Sequence, residues 1–213
     1  MVTTNDDDMA KTARTFKDHS YWEEERRSLL EMEQLHTYIH HRMGYNYRMT
    51  EIQAAIGIKA LEKLEWNVDK RRENAHYLTE GLRECYFLKI AYEAPYVRHG
   101  FYKYYCTLNL DKIKVNRDQF VKAVKAEGVP IDIETSAENY REEVFQSEVG
   151  YGTTKCPFRC PWYRGKVNYS QVTCPNAVEI GREAFVLQVH PTIEKKDLDD
   201  LISAIKKVGE IYS

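Results

Sequence analysis

The chain has 213 residues, 43% of them hydrophobic and 30% charged, a composition that can bury a sizeable core and is unlike that of a disordered segment. Its 31 basic and 33 acidic residues are mixed along the length, for a formal net charge of -2, which leaves no basic footprint for nucleic acid and no polybasic anchor for a membrane. No apolar run approaches the ~20 residues of a membrane span, and the acidic, threonine-rich start is unlike a signal peptide, so the default compartment is cytoplasmic.

Met1 to Thr4 reads as a short β-type run that stops at Asn5-Asp6-Asp7-Asp8. Those acids suit a helix N-terminus; Met9, Thr12, Ala13 and Phe16 then share one apolar face, with Lys11, Arg14 and Lys17 toward the end. Consecutive carboxylates on one turn point different ways, so the run reads as capping and not as a metal site. Residues 18–48 contain no proline, and no glycine before Gly44. Trp22, the charged run 23–27, and then Leu29, Leu30, Met32 and Leu35 predict a helix of about three turns, either a surface helix or an inserted lid or interface element. His36 and His40 fall on one helical face, but no third ligand type accompanies them.

Thr50 followed three residues later by Gln53 is a capping box and marks a helix start. Ile52, Ala55, Ile56, Ala60, Leu61, Leu64 and Val68 recur at spacings of three and four, and the pattern can run to about Leu82 without a proline. The loop before the cap ends at a positive helix dipole and carries the Asn46 amide and the Arg48 guanidinium. That combination can hold a phosphate, or it can be solvated turn chemistry.

Beyond Pro95 the composition changes. Residues 101–110, rich in aromatic and β-branched side chains, read as a strand. Asn116 and Gln119 form a second capping pattern, followed by Phe120, Val121 and Val124, with Gly128 as C-cap and Pro130 as stop. Residues 129–133 and 184–190 read as further strands, and Thr192 as the cap of a last helix that presents Leu198, Leu201, Ile202, Ile205 and Val208 before ending at Gly209. Between Ser136 and Asn176 the chain reads mostly as loop. Five cysteines without paired spacings fit reduced thiols. Cys156-Pro-Phe-Arg-Cys160 with Cys174 and His190 invites a zinc reading, but three residues separate the first pair and the remainder lacks metal-site spacing, so no metal ligand is assigned. No nucleophile elbow or phosphate-binding glycine loop is present, and no catalytic residue is assigned.

The string His-Arg-Met-Gly-Tyr-Asn-Tyr-Arg-Met-Thr-Glu-Ile-Gln-Ala-Ala-Ile-Gly at 41–57 resembles the signature region of the DegT/StrS family of sugar aminotransferases, fold-type I enzymes dependent on pyridoxal phosphate (PLP). The opening Met1-Val2-Thr3-Thr4-Asn5-Asp6 is similar to the family's strand after its PLP-lysine loop, and Cys174-Pro175-Asn176-Ala177 with Val189-His190-Pro191 to its closing region. The resemblance covers nearly the whole chain and implies an α/β fold. Residues 1–84 would be the C-terminal end of the large PLP domain with a linking helix (about 50–82), and 85–213 a small C-terminal α/β domain.

It also implies that Asn46 reaches the PLP phosphate of a partner subunit, with Arg48 as a supporting cation and Tyr45, Tyr47 and His41 lining the same pocket, while the loop 159–164 approaches the substrate. The Schiff-base lysine, the acidic partner of the pyridine nitrogen and the stacking ring have no counterpart in this sequence. The chain then reads as the C-terminal part of an aminotransferase for a nucleotide-linked keto-sugar or a cyclitol ketone, with glutamate or glutamine as amino donor, in polysaccharide or amino-sugar biosynthesis. It would not be catalytic alone and would work as a homodimer or with a companion N-terminal half, its Thr50 helix exposing an apolar face. The alternative is a non-catalytic orphan module acting as a binding or subunit-interface protein.

Overall fold

The computed structural model describes residues 2–22, 27, 28, 31, 40, 42–90, 92–133 and 138–213. Contacts divide the chain into two compact units, Met1–Lys63 and Leu64–Ser213.

In the first unit, helix α1 (Asp7–Lys17) starts as its acids direct: the Asp6 carboxylate accepts the Met9 N–H at 2.8 Å, Asp7 and Asp8 occupy the first turn, and Arg14 and Lys17 the last. The chain leaves α1 through His19 and Ser20, both left-handed, with φ of 53° and 69°. Residues 2–4 form no strand, because no described segment pairs with them and a strand exists only through its neighbour. The helix expected within 22–35 falls largely outside the described residues.

Helix α2 (Glu51–Glu62) opens on the expected box, with the Gln53 N–H donating to Thr50 Oγ1 at 3.2 Å and the Thr50 N–H to Gln53 Oε1 at 3.0 Å. The single long helix of the sequence reading is two. At Lys63 the N–H turns to Ala60 O at 3.2 Å, a tight three-residue bond that closes α2, and α3 (Leu64–Leu82) begins at the next residue. No residue of α2 is buried: Ile52, Ile56 and Leu61 stay 75%, 65% and 68% exposed.

The second unit is a four-stranded antiparallel sheet with helices packed on it. Strands β1 (Leu88–Ile90), β2 (Tyr104–Leu108), β3 (Ile131–Asp132) and β4 (Ala184–Leu187) lie in the order β1-β2-β4-β3. The register sets Cys106 opposite Phe185 and Ile131 opposite Leu187. Helix α4 (Arg117–Ala126) has the Asn116/Gln119 box and ends at Gly128, whose φ of 89° is the left-handed C-cap its sequence announces. A one-turn helix α5 (Glu143–Gln146) lies in the long segment before α6 (Pro175–Glu183). Helix α7 (Lys195–Tyr212) closes the fold, packed against both α3 and α4.

Apolar spacing selects the buried faces: Ala75, Leu78 and Leu82 of α3 and Leu198, Leu201, Ile205 and Val208 of α7 enclose a core with Phe87, Tyr104, Phe120 and Phe185. Two expectations shift at α7. Its cap is Glu194, boxed with Asp197, because Thr192 is held back in the preceding turn by His190 Nδ1, 2.8 Å from its Oγ1. Nor does Gly209 end the helix, which runs on to Tyr212. The glycine instead lets the Phe87 ring lie against the helix backbone, since a Cβ there would fall well inside the 3.0 Å that real Cβ atoms keep from neighbours.

Candidate functional site

The capped loop before α2 is pinned to the end of α1 by its backbone. The Tyr45 N–H donates to Phe16 O at 2.7 Å, the His19 N–H to Tyr45 O at 3.0 Å, and the Tyr47 N–H to Lys17 O at 2.8 Å, so Asp18 and Asn46 face each other in an antiparallel bridge. Gly44 permits this approach, because a Cβ there would sit 2.5 Å from the Ser20 nitrogen.

Extended backbone alternates its side chains. Tyr45 and Tyr47 share one side, their rings stacked with centroids 5.1 Å apart, and Tyr45 stacks in turn on Phe16 at 6.4 Å. Asn46 and Arg48 fall on the other side. Arg48 Nη1 lies 2.6 Å from Asp18 Oδ1, a charge-assisted hydrogen bond between side chains 46% and 23% exposed. Asn46 is exposed. Just beyond, the capping box takes up the Gln53 N–H, leaving the Glu51 and Ile52 amides without an intrahelical acceptor at the positive end of α2.

Of the five residues singled out in the sequence, the structure therefore brings Asn46 and Arg48 to one side of a short strand-like run and Tyr45 and Tyr47 to the other. His41 lies outside the described residues. Asp18 is the residue that sequence reasoning missed: its link to Arg48 depends on the register between 16–19 and 45–47, for which the sequence carries no signal.

The donor set fits the phosphate end of PLP, an amide and a fork-shaped guanidinium beside free helix-start amides. The aldehyde end finds no such fit. A Schiff-base lysine is activated by desolvation or by a cationic neighbour, whereas no lysine of this chain is buried and Lys89, Lys195 and Lys196 are all pushed upward by hydrogen bonds to Glu183, Tyr77 and Asp200.

The second unit holds a further polar cluster with no sequence signal. Arg72 and His76, one turn apart on α3, converge on Glu93: Arg72 Nη1 is 2.6 Å from Oε1 and His76 Nε2 is 3.0 Å from Oε2. The His99 N–H donates to Oε1 at 2.8 Å. The Arg72 and His76 hydrogen bonds, with that of His99, hold the Glu93 carboxyl down at about 2 and tie the loop before β2 to the helix. Arg159 is committed to Glu148, with Nε 2.7 Å from Oε2. All five cysteines are free thiols, and among the described residues no three His, Cys, Asp or Glu side chains form a metal-binding group. No helix of the described residues is long and apolar enough to cross a membrane.

Residues 1–206 match the DegT/DnrJ/EryC1/StrS aminotransferase family. The chain belongs to that family. Over 133 residues it is 31% identical to the GDP-perosamine synthase of Caulobacter vibrioides, covering 61% of this chain and 32% of the synthase. Over 170 residues it is 25% identical to the spore coat polysaccharide biosynthesis protein SpsC of Bacillus subtilis, covering 78% of this chain and 38% of SpsC. Its fold matches that of an aminotransferase from Psychrobacter cryohalolentis with a TM-score of 0.75 at 24% identity, over 99% of this chain and 51% of the enzyme. It also matches an E. coli GDP-4-keto-6-deoxy-D-mannose-3-dehydratase with bound hydrated PLP, with a TM-score of 0.69 at 17% identity, over 95% of this chain and 49% of the dehydratase. The chain thus spans about half, or less, of the length of these proteins.

Proposed function

We propose that this DegT-family chain is the C-terminal part of a PLP-dependent aminotransferase for a nucleotide-linked keto-sugar or a cyclitol ketone, and that Asn46 and Arg48 bind the PLP phosphate of a partner subunit. When bound, PLP supplies the electron sink that lets an amino group pass between a donor, glutamate or glutamine, and the ketone. The observation that carries the reading is the disposition of Asn46 and Arg48 on one side of a rigidly pinned run, at a helix start. The Asn46 amide donates to a phosphate oxygen; the Arg48 guanidinium, oriented by Asp18, supplies a second, charged donor. Asp18 also offsets the Arg48 charge, so the site fits a phosphate that other groups help to neutralise.

The lysine is supplied by another segment or chain, because every lysine here lies in solvent-accessible surroundings. In this reading residues 1–84 complete a large domain through the linking helices α2 and α3, residues 85–213 form the small domain, and the apolar face of α2 docks on a homodimer partner or a companion N-terminal half. In the assembled enzyme, Asn46→Ala and Arg48→Ala are expected to raise the PLP dissociation constant about tenfold or more, read by equilibrium dialysis, as expected for lost hydrogen bonds to a charged group. Unchanged PLP retention in both variants would overturn the assignment.

A further inference from the structure

Between α3 and the turn that leads into α7, the second unit holds a cavity of about 600 Å³, inside the range of roughly 300–1,000 Å³ common to small-ligand sites. Tyr77, Pro191, Ile193 and Leu198 give it an apolar lining. The walls are tied together. Asn74, only 8% exposed, donates from Nδ2 to His190 O at 3.0 Å, and the same carbonyl accepts the Ile193 N–H at 3.0 Å, so one backbone oxygen fixes the turn to the helix. The Tyr77 hydroxyl donates to Asp199 Oδ1 at 2.5 Å, and the Lys195 ammonium lies 5.1 Å from the centre of the Tyr77 ring, so the ring is held at two points.

The Asn74 amide has a second arm. With Nδ2 committed to His190, Oδ1 points away from that bond; it has no partner among the described residues and is not closed to solvent, so it opens on the cavity that Asn74 lines. A largely buried acceptor in that position selects a ligand that brings a donor, because the unmet group is costly to desolvate.

The charges of the lining balance. Two ammoniums, Lys70 and Lys195, are matched by two carboxylates, Glu73 and Glu80, and any charge on His76 is met by Glu93, 3.0 Å from its Nε2. Each is already paired: Lys70 with Glu73 at 2.6 Å, Lys195 with Asp199 at 3.9 Å, and Glu80 with Arg83. A phosphate or other strongly charged ligand would find no surplus of opposite charge. A hydroxyl, which both donates and accepts, can bridge such pairs without breaking them.

We propose that this cavity is a binding site for a neutral saccharide. A sugar ring lays its apolar C–H face on Pro191, Ile193 and Tyr77, one hydroxyl donates to Asn74 Oδ1, and neighbouring hydroxyls meet the Lys70–Glu73 pair at the rim.

The test uses the full chain without PLP, so it does not depend on the cofactor reading. Maltose, cellobiose, lactose and mannobiose serve as neutral probes and glucose 1-phosphate as the charged one, with affinity read by calorimetry and location by hydrogen–deuterium exchange against sorbitol as an osmotic control. At least one disaccharide is expected to bind with a dissociation constant of about 1 mM or below, to slow exchange in 70–80 and 190–198, and to bind more tightly than glucose 1-phosphate. Asn74→Ala, its fold checked by circular dichroism, is expected to weaken that binding about fivefold or more, as for a lost hydrogen bond; if this variant does not fold, the exchange map of the parent decides. The proposal fails if no disaccharide binds at about 20 mM, if protection falls outside both segments, if glucose 1-phosphate binds more tightly than every disaccharide, or if folded Asn74→Ala binds as the parent does.

Discussion

Glycine-to-alanine substitution should have opposite effects at two helical positions of this chain. At Gly209, in the buried face of α7, an added Cβ would come far inside 3.0 Å of Phe87 Cζ and both flanking Cε atoms, so the ring must move as a whole. Overpacking of a filled core costs about 1–3 kcal/mol, while alanine in a helix interior returns about 1 kcal/mol over glycine. With three ring atoms displaced the cost lies at the upper end, and the net is about 2 kcal/mol destabilising. For a unit of this size that corresponds to a Tm lower by roughly 4–8 °C. At Gly57, in exposed α2, a Cβ meets nothing within 4 Å. There alanine keeps only the helix-propensity gain and is expected to stabilise by about 0.5–1 kcal/mol. Gly81 is intermediate, since its added Cβ would meet the flexible end of Ile202. Thermal and urea unfolding of the variants read these differences directly. A Gly209→Ala chain as stable as the parent would refute the packing of Phe87 on α7.

Three further outcomes follow from other parts of the structure. Arg117, only 12% exposed, donates from Nη1 to Gly181 O at 2.6 Å and Ala184 O at 3.2 Å, closing the end of α6; Arg117→Ala is expected to cost about 1.5–3 kcal/mol in urea unfolding, and a loss below half a kcal/mol would show that those carbonyls are satisfied otherwise. Glu93 is held below its ordinary 4.5 at about 2, so its contribution to stability is complete above the ordinary value and disappears as pH falls from there toward about 2; Glu93→Gln should reduce the acid dependence of Tm in that window, and an identical dependence in parent and variant would count against the Arg72–His76–Glu93 cluster. The chain alone, with Ile52, Ile56 and Leu61 exposed on α2, is expected to self-associate and bind a hydrophobic dye, and Ile56→Asp to weaken both. A monodisperse chain at micromolar concentration that binds no dye would contradict the docking role given to α2.

Local chemistry was legible in the sequence where a few neighbouring residues decide it. Asp6, Thr50 with Gln53, and Asn116 with Gln119 cap the helices they were expected to cap, and Gly128 ends α4. The apolar periodicity of α7 marks the face that is buried. Judgements that depend on distant partners were less legible. Three-residue β1 contains Lys89 and carries no strand pattern of its own, yet pairs through Lys89 with Thr107. The apolar spacing that begins at Ile52 does not say where cover begins: no residue of α2 is buried, and the buried residues of α3 start only at Asn74, where α7 is available to cover them. At the candidate site the sequence carried Asn46 and Arg48; the Asp18 contact and the separation from the Tyr45–Tyr47 stack arise from a long-range register, and only the fold sets that register.

The most direct test of the central claim is a PLP titration of the purified chain, followed by borohydride reduction and intact mass, repeated with a companion N-terminal half. A borohydride-stable adduct that forms only when the companion is present, and maps to the companion, is the predicted result. A single specific adduct on a lysine of this chain alone would contradict the account and place a complete active site within these residues.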